Sequence, residues 1–436
     1  MKILLVGSGA REHAIARAVI RSPQKPQLAC FGSSVNPGIK KLSGVYSTGN
    51  INDPVAVTEF AEDTGAELAI VGPEAPLAAG VADALWQAGI PCVGPKQALA
   101  QLETSKAFTR DLLTEYGVPG CPRYKVFNSL AGVKEFLGEL GGLFVVKYDG
   151  LMGGKGVKVA GDHLADHAEA IEYCRKLVAD GKSFVIEEKL IGQEFSLMSF
   201  CDGQRLAHMP AVQDHKRAYD GDNGPNTGGM GSYSTADHSL PFLTTGDIET
   251  ARAINQATMR ALEQKFGEGY KGILYGGFMA TADGVKLIEY NARFGDPECL
   301  NVLAILESDF VAICQAIVEG NLKQNMAQFA AQATVCKYAV PEGYPDSPVK
   351  NQLIDISAID NPNQLYLAAV DLRPDGLYET GSRTAAVVGI ADDLKSAEEI
   401  AQKEIECIGG PVFHRKDIGT TKLIKQRINH MSGLRK

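Results

Sequence analysis

The residues with the plainest chemistry lie in segment 287–298, which reads LIEYNARFGDPE. Side chains of an extended strand alternate between faces, so Glu289, Asn291 and Arg293 share one side. A carboxylate beside an amide oxygen suits a hard cation, Mg²⁺ or Mn²⁺, that also takes triphosphate oxygens. Arg293 beside them would hold a phosphoryl group in transfer. Polar residues on one face of an otherwise hydrophobic hairpin are poorly explained as solvated surface.

Four further segments carry donors or acceptors in suggestive spacing. Residues 147–156, KYDGLMGGKG, place Gly150, Gly153, Gly154 and Gly156 between two strand patterns. Such a loop can fold over a triphosphate, with Lys147 and Lys155 neutralising oxygens. It is not a Walker A loop, because its spacing fails and Gly156 follows the lysine. Glu187 and Glu188 end a strand, with Leu190 and Glu194 just beyond. There, backbone groups could meet adenine and a carboxylate the ribose hydroxyls. The run Gly7-Ser8-Gly9-Ala10-Arg11-Glu12-His13 joins a strand to a helix start. Free N–H groups and the helix dipole make that an anion site, to which Arg11 adds a charge. A dinucleotide fingerprint needs glycine where Glu12 stands, and Cys30-Phe31-Gly32 offers no ribose acid, so NAD is disfavoured. Last come Gln213-Asp214-His215-Lys216-Arg217 and the glycine-rich 224–231, where Asp214 could hold an ammonium group. Taken singly, each has a plainer alternative: a tight turn, a hairpin with solvated lysines, solvated strand-end acids, or a solvated basic turn.

The elements that must position these groups follow from periodicity. Short apolar runs at 3–6, 28–31, 68–71 and 92–93 alternate with helical patterns, which predicts a doubly wound parallel sheet. Asp53-Pro54 reads as an N-cap and first-turn proline. Leu77, Val81 and Leu85 repeat at i+4. The turns after the strands, at Gly7, Gly72 and Gly94, should line one rim, where open α/β sheets bind ligands. A helix is expected over 105–116, then a break at Gly117, Pro119, Gly120 and Pro122. Strands are expected at 144–147, 157–160, 184–188 and 195–200, and a hairpin at 274–281 and 285–290 around Asp283-Gly284. Residues 221–231 read as a functional or mobile loop. Beyond about 332, strands at 368–372 and 385–388 and a helix at 396–408 predict a small C-terminal α/β domain. The expected fold is α/β and α+β, divided at 1–104, 105–331 and 332–436.

Composition narrows the class. The 436 residues are 45% hydrophobic and 22% charged, as a packed multi-domain protein requires. A net charge of −9 argues against a general nucleic-acid binder. Nine scattered cysteines, with no C-x-x-C pair, fit reduced thiols better than a disulfide framework or a zinc site. No apolar run is long enough to cross a bilayer. A soluble, cytoplasmic monomer is expected.

In this order the segments resemble the glycinamide ribonucleotide synthetases (phosphoribosylamine–glycine ligases) of the ATP-grasp superfamily. The matching strings are GSGAREHAIA, VGPEAPLAAGV, LETSKAFT, DGLMGGKGV, VIEEKLIGQE, QDHKR, GPNTGGMGSYS, IEYNARFGDPE and FHRKDIG, spanning residues 1–419. QDHKR followed by GPNTGGMG sets this family apart from other ATP-grasp ligases. The resemblance implies a reaction of ATP, glycine and 5-phosphoribosylamine, in an ATP-grasp core with a mobile lid at about 121–194. It implies that Glu289 and Asn291 carry the metal. ATP would meet Lys106, Lys147, Gly153, Gly154, Lys155, Glu187, Glu188, Leu190 and Glu194. The substrates would meet Gly9, Arg11, Glu12, Glu74, Asp214, Lys216, Gly228, Gly229, Arg293, Gly295 and Asp296. Arg293, Lys155 and Asp214 are the implied catalytic residues. The chain departs from the family at Ala10, where a second glycine is usual. It also departs at Phe278-Met279, where many ATP-grasp enzymes carry another acid. A different carboxylate–amine pair, or a nucleotide-binding regulator without catalysis, is the alternative.

Overall fold

The computed structural model describes residues 1–152 and 156–436. The N-terminal sheet is parallel throughout, in the order β3-β2-β1-β4-β5. Its strands are β1 (Lys2–Val6), β2 (Gln27–Gly32), β3 (Val45–Thr48), β4 (Leu68–Val71) and β5 (Cys92–Val93). Ile3, Leu4, Leu5 and Val6 are wholly buried, as a sheet covered on both faces requires. The edge strand β3 was not among the expected strands. Its VYST sequence is half exposed and has no apolar run to mark it.

Asp53 caps the helix Pro54–Thr64, its carboxylate accepting from Val55 and Ala56. The apolar repeat at 77, 81 and 85 is split between two short helices, Glu74–Ala78 and Val81–Gln87. Gly80 divides them at φ +85, a left-handed conformation that glycine adopts without strain. The helix expected from 105 spans Lys106–Glu115, with the Ser105 hydroxyl accepting from Phe108 at its N-cap.

The next strands, β6 (Tyr124–Phe127), β7 (Phe144–Tyr148), β8 (Val157–Val159) and β9 (Phe184–Glu188), form an antiparallel sheet in the order β6-β9-β7-β8. Phe127, Phe144, Phe184 and Ile186 pack with Val133, Leu137 and Ala170 in a hydrophobic core of their own. This is the lid subdomain. The other large core runs continuously from the N-terminal sheet to the C-terminal strands.

The central sheet has the order β11-β10-β16-β17, all antiparallel. It comprises β10 (Gly192–Asp202), β11 (Leu206–His208), β16 (Lys271–Thr281) and β17 (Gly284–Asn291). Between β11 and β16 lie β12 (Gln213–Asp214), β13 (Arg217–Tyr219), β14 (Asn223–Asn226) and β15 (Gly231–Ser234). Segment 221–231 is therefore not one irregular loop: β14 pairs with β13 as a small ribbon. The helix Thr245–Phe266 packs against the hairpin.

The C-terminal strand β18 (Ala333–Pro341) pairs with β15 on one side and with Ala385–Ala391 on the other. One sheet thus joins residues 213–234 to the C-terminal region. No helix among the described residues is long and apolar enough to cross a membrane.

Candidate active site

The lid, the central hairpin, the N-terminal rim and the C-terminal region enclose one cavity of about 690 Å³. That is ample for a nucleotide and a small substrate.

Its floor is shaped by a bulge. In the hairpin Gly277 faces Glu289, but Phe278 faces Leu287, so Ile288 is the extra residue. Val285, Leu287 and Tyr290 are buried in the core. Strict alternation would have sent Glu289 to the core beside Val285 and Leu287; the bulge turns it, with Asn291, into the cavity. The bulge also frees the Ile288 carbonyl from the ladder, and it accepts from Arg110 Nη2 at 2.6 Å and Lys147 Nζ at 3.1 Å.

Those two cations share the carboxylate of Glu187. Arg110 Nε lies 2.7 Å from Oε1, and Arg110 Nη2 and Lys147 Nζ lie 3.0 and 2.7 Å from Oε2. All three side chains are almost fully buried. Burial alone would raise the Glu187 carboxyl, but Arg110 and Lys147 hold it at about 2. With its carboxylate so engaged, the end of β9 offers a nucleotide mainly backbone groups and Leu190, which lines the cavity with Glu188 and Glu194. Lys106 reaches the lid, donating to the Gly150 carbonyl at 3.0 Å. Gly153, Gly154 and Lys155 lie outside the described residues.

Burial would also raise the Glu289 carboxyl, but Lys216, Lys147, Lys106 and Arg293 together hold it below the ordinary value. An ionised carboxylate within a ring of cations, beside the Asn291 amide, fits a hard cation that arrives with phosphates. Among the described residues no three His, Cys, Asp or Glu side chains converge as a metal cluster. An ion bound at Glu289 and Asn291 would need its remaining ligands from outside the protein. Phe278 is buried and Met279 lines the cavity, so the neighbouring strand supplies no further acid there. Lys216 is ion-paired to Glu194.

Asp214 lines the same cavity. Its carboxylate accepts the His215 amide at 2.7 Å, and burial together with nearby Glu298 raises its carboxyl well above the ordinary value. Glu298 is raised by burial too, and accepts from the Tyr275 hydroxyl at 2.7 Å. Gly229, at φ +107, leaves no room for a side chain: a Cβ there would lie 2.7 Å from Asp214 and 2.6 Å from Pro297. A Cβ at Gly295 would lie 2.5 Å from Glu298.

Arg383 reaches in from the C-terminal region. It pairs with Asp296 at 3.0 Å and donates to the carbonyls of Gly228 and Gly229. On the N-terminal rim, Arg11 and Glu74 line the cavity. Glu12 is buried behind them and accepts the Gly9 amide at 2.6 Å, so one donor of the expected anion site is already used.

Arg110, Glu103, Glu298 and Arg383 escaped the sequence reading. A cation on the buried face of the helix Lys106–Glu115 was the available signal for Arg110. Arg383 had none, since only the shared sheet brings it near.

A parallel N-terminal sheet, a lid with its own core and an antiparallel hairpin floor around one cavity lined by charges of both signs define an ATP-grasp ligase, of the kind that forms carbon–nitrogen bonds. Family models described as phosphoribosylglycinamide synthetase N domain, ATP-grasp (A) domain and C domain match residues 1–103, 104–299 and 334–421. The chain belongs to the phosphoribosylglycinamide synthetase family. The phosphoribosylamine–glycine ligase of Methanosarcina acetivorans is 50% identical over 435 residues, covering 100% of this chain and 98% of that one. The solved phosphoribosylamine–glycine ligase of Thermotoga maritima superposes with a TM-score of 0.82 at 26% identity, over 96% of this chain and 100% of that one. The biotin carboxylase domain of a Hydrogenobacter thermophilus 2-oxoglutarate carboxylase shares the fold, with a TM-score of 0.72 at 16% identity over 99% of this chain and 93% of that one.

Proposed function

We infer that the chain joins glycine to 5-phosphoribosylamine with ATP, yielding ADP, phosphate and glycinamide ribonucleotide, a step of purine synthesis. The observation that carries this is one cavity lined both by Glu289 and Asn291, within the charges of Lys106, Lys147, Lys216 and Arg293, and by the acidic pair Asp214 and Glu298.

A carboxylate resists amines because oxide is a poor leaving group. Glycine's carboxylate therefore attacks the γ-phosphorus of ATP, releasing ADP and forming glycyl phosphate. The amine then attacks the acyl carbon and phosphate leaves. Lys106, Lys147, Lys216 and Arg293 neutralise phosphate oxygens, and Arg293 faces the transferring group. Glu289 and Asn291 would hold Mg²⁺ or Mn²⁺, which when bound supplies further charge neutralisation on the phosphates. Asp214 takes glycine's ammonium group; Gly228, Gly229, Gly295 and Asp296 shape that end. Gly153, Gly154 and Lys155 extend the nucleotide cover, with Lys155 a further catalytic cation. Glu187, Glu188, Leu190 and Glu194 frame the nucleotide, and Gly9, Arg11, Glu12 and Glu74 the phosphoribosylamine. The closed lid keeps water from the anhydride. We assign domains at 1–104, 105–331 and 332–436, and a cytoplasmic monomer in which the nine cysteines are unpaired thiols.

ADP release, assayed with each substrate omitted in turn, tests the reaction. Glycine carrying ¹⁸O in its carboxylate tests the order: one labelled oxygen should leave with phosphate and the amide keep the other. Unlabelled phosphate in a single turnover rules out the acyl phosphate. Arg11→Ala should raise the KM for phosphoribosylamine roughly tenfold or more, with those for ATP and glycine little changed. Equal losses for all three substrates would mean a folding defect.

A further inference from the structure

Arg383 comes to the cavity by way of a sheet. It lies just before the strand Ala385–Ala391, which pairs with β18 so that Ala386 stands opposite Tyr338 and Ala385 opposite Ala339. On its other side β18 pairs with β15, Lys337 opposite Gly231, and the Tyr338 amide donates to the Met230 carbonyl at 2.9 Å. Gly228 and Gly229 lead into β15, so this sheet brings Arg383 to their backbone.

The guanidinium ties two segments together. Its central carbon lies 4.4 Å from the centroid of the buried Tyr338 ring, and a Cβ on Gly228 would come within 3.4 Å of the same carbon. The two hydrogens of Nη1 are shared among three carbonyl oxygens, those of Gly228 at 2.8 Å, Asp296 at 3.0 Å and Gly229 at 3.1 Å. Nη2 lies 3.0 Å from Asp296 Oδ2, and Asp296 Oδ1 accepts from the Tyr338 hydroxyl at 2.6 Å. One side chain thus joins the backbone of 228–229 to Asp296.

That junction bears on Asp214. A Cβ added to Gly229 would meet Pro297 at 2.6 Å and Asp214 Oδ1 at 2.7 Å, so the Gly229 backbone is packed against both. The same Asp214 oxygen accepts the His215 amide at 2.7 Å. A hydrogen bond and a packed backbone therefore both locate it.

Resting on the reaction inferred above, we propose that Arg383 is a positioning residue for the amino-acid end of the cavity. It acts through the Gly228–Gly229 backbone, which it holds to Asp296 and so against Asp214, the carboxylate that takes glycine's ammonium group. A guanidinium suits this task because its planar fork serves several acceptors at once, whereas an ammonium is a single point charge. The C-terminal region thereby takes part in amino-acid recognition.

The test is steady-state kinetics of the whole enzyme and of Arg383→Gln, Arg383→Lys and Tyr338→Phe, with melting curves alongside. Arg383→Gln should raise the KM for glycine roughly tenfold or more and leave those for ATP and phosphoribosylamine within about twofold. Arg383→Lys keeps a charge for Asp296 but not the fork, and should regain part of that loss. Tyr338→Phe removes only one partner of Asp296, and should raise the glycine KM by roughly threefold. If Arg383→Gln does not fold, the other two variants carry the same comparison. An unchanged glycine KM in the folded variants overturns the proposal. A rise confined to phosphoribosylamine overturns it too, making Arg383 a contact of that substrate, as do equal losses for all three substrates, which make it merely structural. Wild-type enzyme that forms no amide with all three substrates present overturns the assigned reaction instead, which separates the two failures.

Discussion

Replacing Glu289 by alanine should cut kcat by roughly a thousandfold or more, while the protein stays folded. The residue faces the cavity rather than the core, so its removal opens no packing defect. On the reaction proposed above, what it removes is the carboxylate that would hold the cation, and with that cation several kcal/mol of charge stabilisation on the transferring phosphoryl group. Lys216, Lys147, Lys106 and Arg293, which hold the carboxyl down, all remain. Nucleotide affinity should therefore survive better than turnover. The measurement is kcat and nucleotide Kd across a Mg²⁺ titration, beside a melting curve. Near-normal turnover at ordinary Mg²⁺ would remove Glu289 from the chemistry, and a collapsed melting curve would make it structural.

The second large effect is on stability. Glu187→Ala strips the shared anion from Arg110 and Lys147, leaving two buried cations facing each other. Breaking a buried pair in this way costs about 3–5 kcal/mol. The same carboxylate gives a pH signature with a definite sign. Its folded value of about 2 lies below the ordinary 4.5, so the ionised form is favoured by folding. That contribution is fully present above 4.5 and is lost as pH falls towards 2. The gap corresponds to roughly 3 kcal/mol. Urea midpoints of wild type and variant should thus differ most at neutral pH and converge as pH drops towards 2. A constant difference across that range would show that the carboxylate's charge is not what stabilises.

The elements legible from sequence are those that local rules dictate. Four of the five parallel strands showed as apolar runs, and the helix Lys106–Glu115 was marked by the glycines and prolines beyond it. The face of β17 is more instructive. Period two correctly groups Glu289 with Asn291, yet it also groups both with Val285 and Leu287, which are core. Only the extra residue at Ile288 resolves that conflict, and a bulge leaves no mark in a single strand because it is a property of pairing. The ribbon of β13 and β14 was hidden for a related reason. Its GPN sequence carries turn residues, and its strandness comes from one partner rather than from composition. Arg383 and Glu103 act on site residues 155 and 190 positions away in the chain, at Gly228 and Arg293. Nothing in a local window encodes such a meeting.

The separate core of the lid has an evolutionary consequence. Phe127, Phe144, Phe184 and their neighbours satisfy one another, so drift among them needs no compensating change in the main body. The subdomain can accumulate substitutions as a block, or be exchanged between homologous ligases by recombination, provided its junctions are kept. Among those junctions, Glu187 and Lys147 from the lid must meet Arg110 and the Ile288 carbonyl, Asp149 must reach Ser105, and Lys106 the Gly150 carbonyl. A chimera carrying a foreign lid that preserves these polar contacts should fold, whereas one that keeps the native lid but alters Arg110 should not. Inheritance in this part of the molecule is constrained at its seams and permissive within.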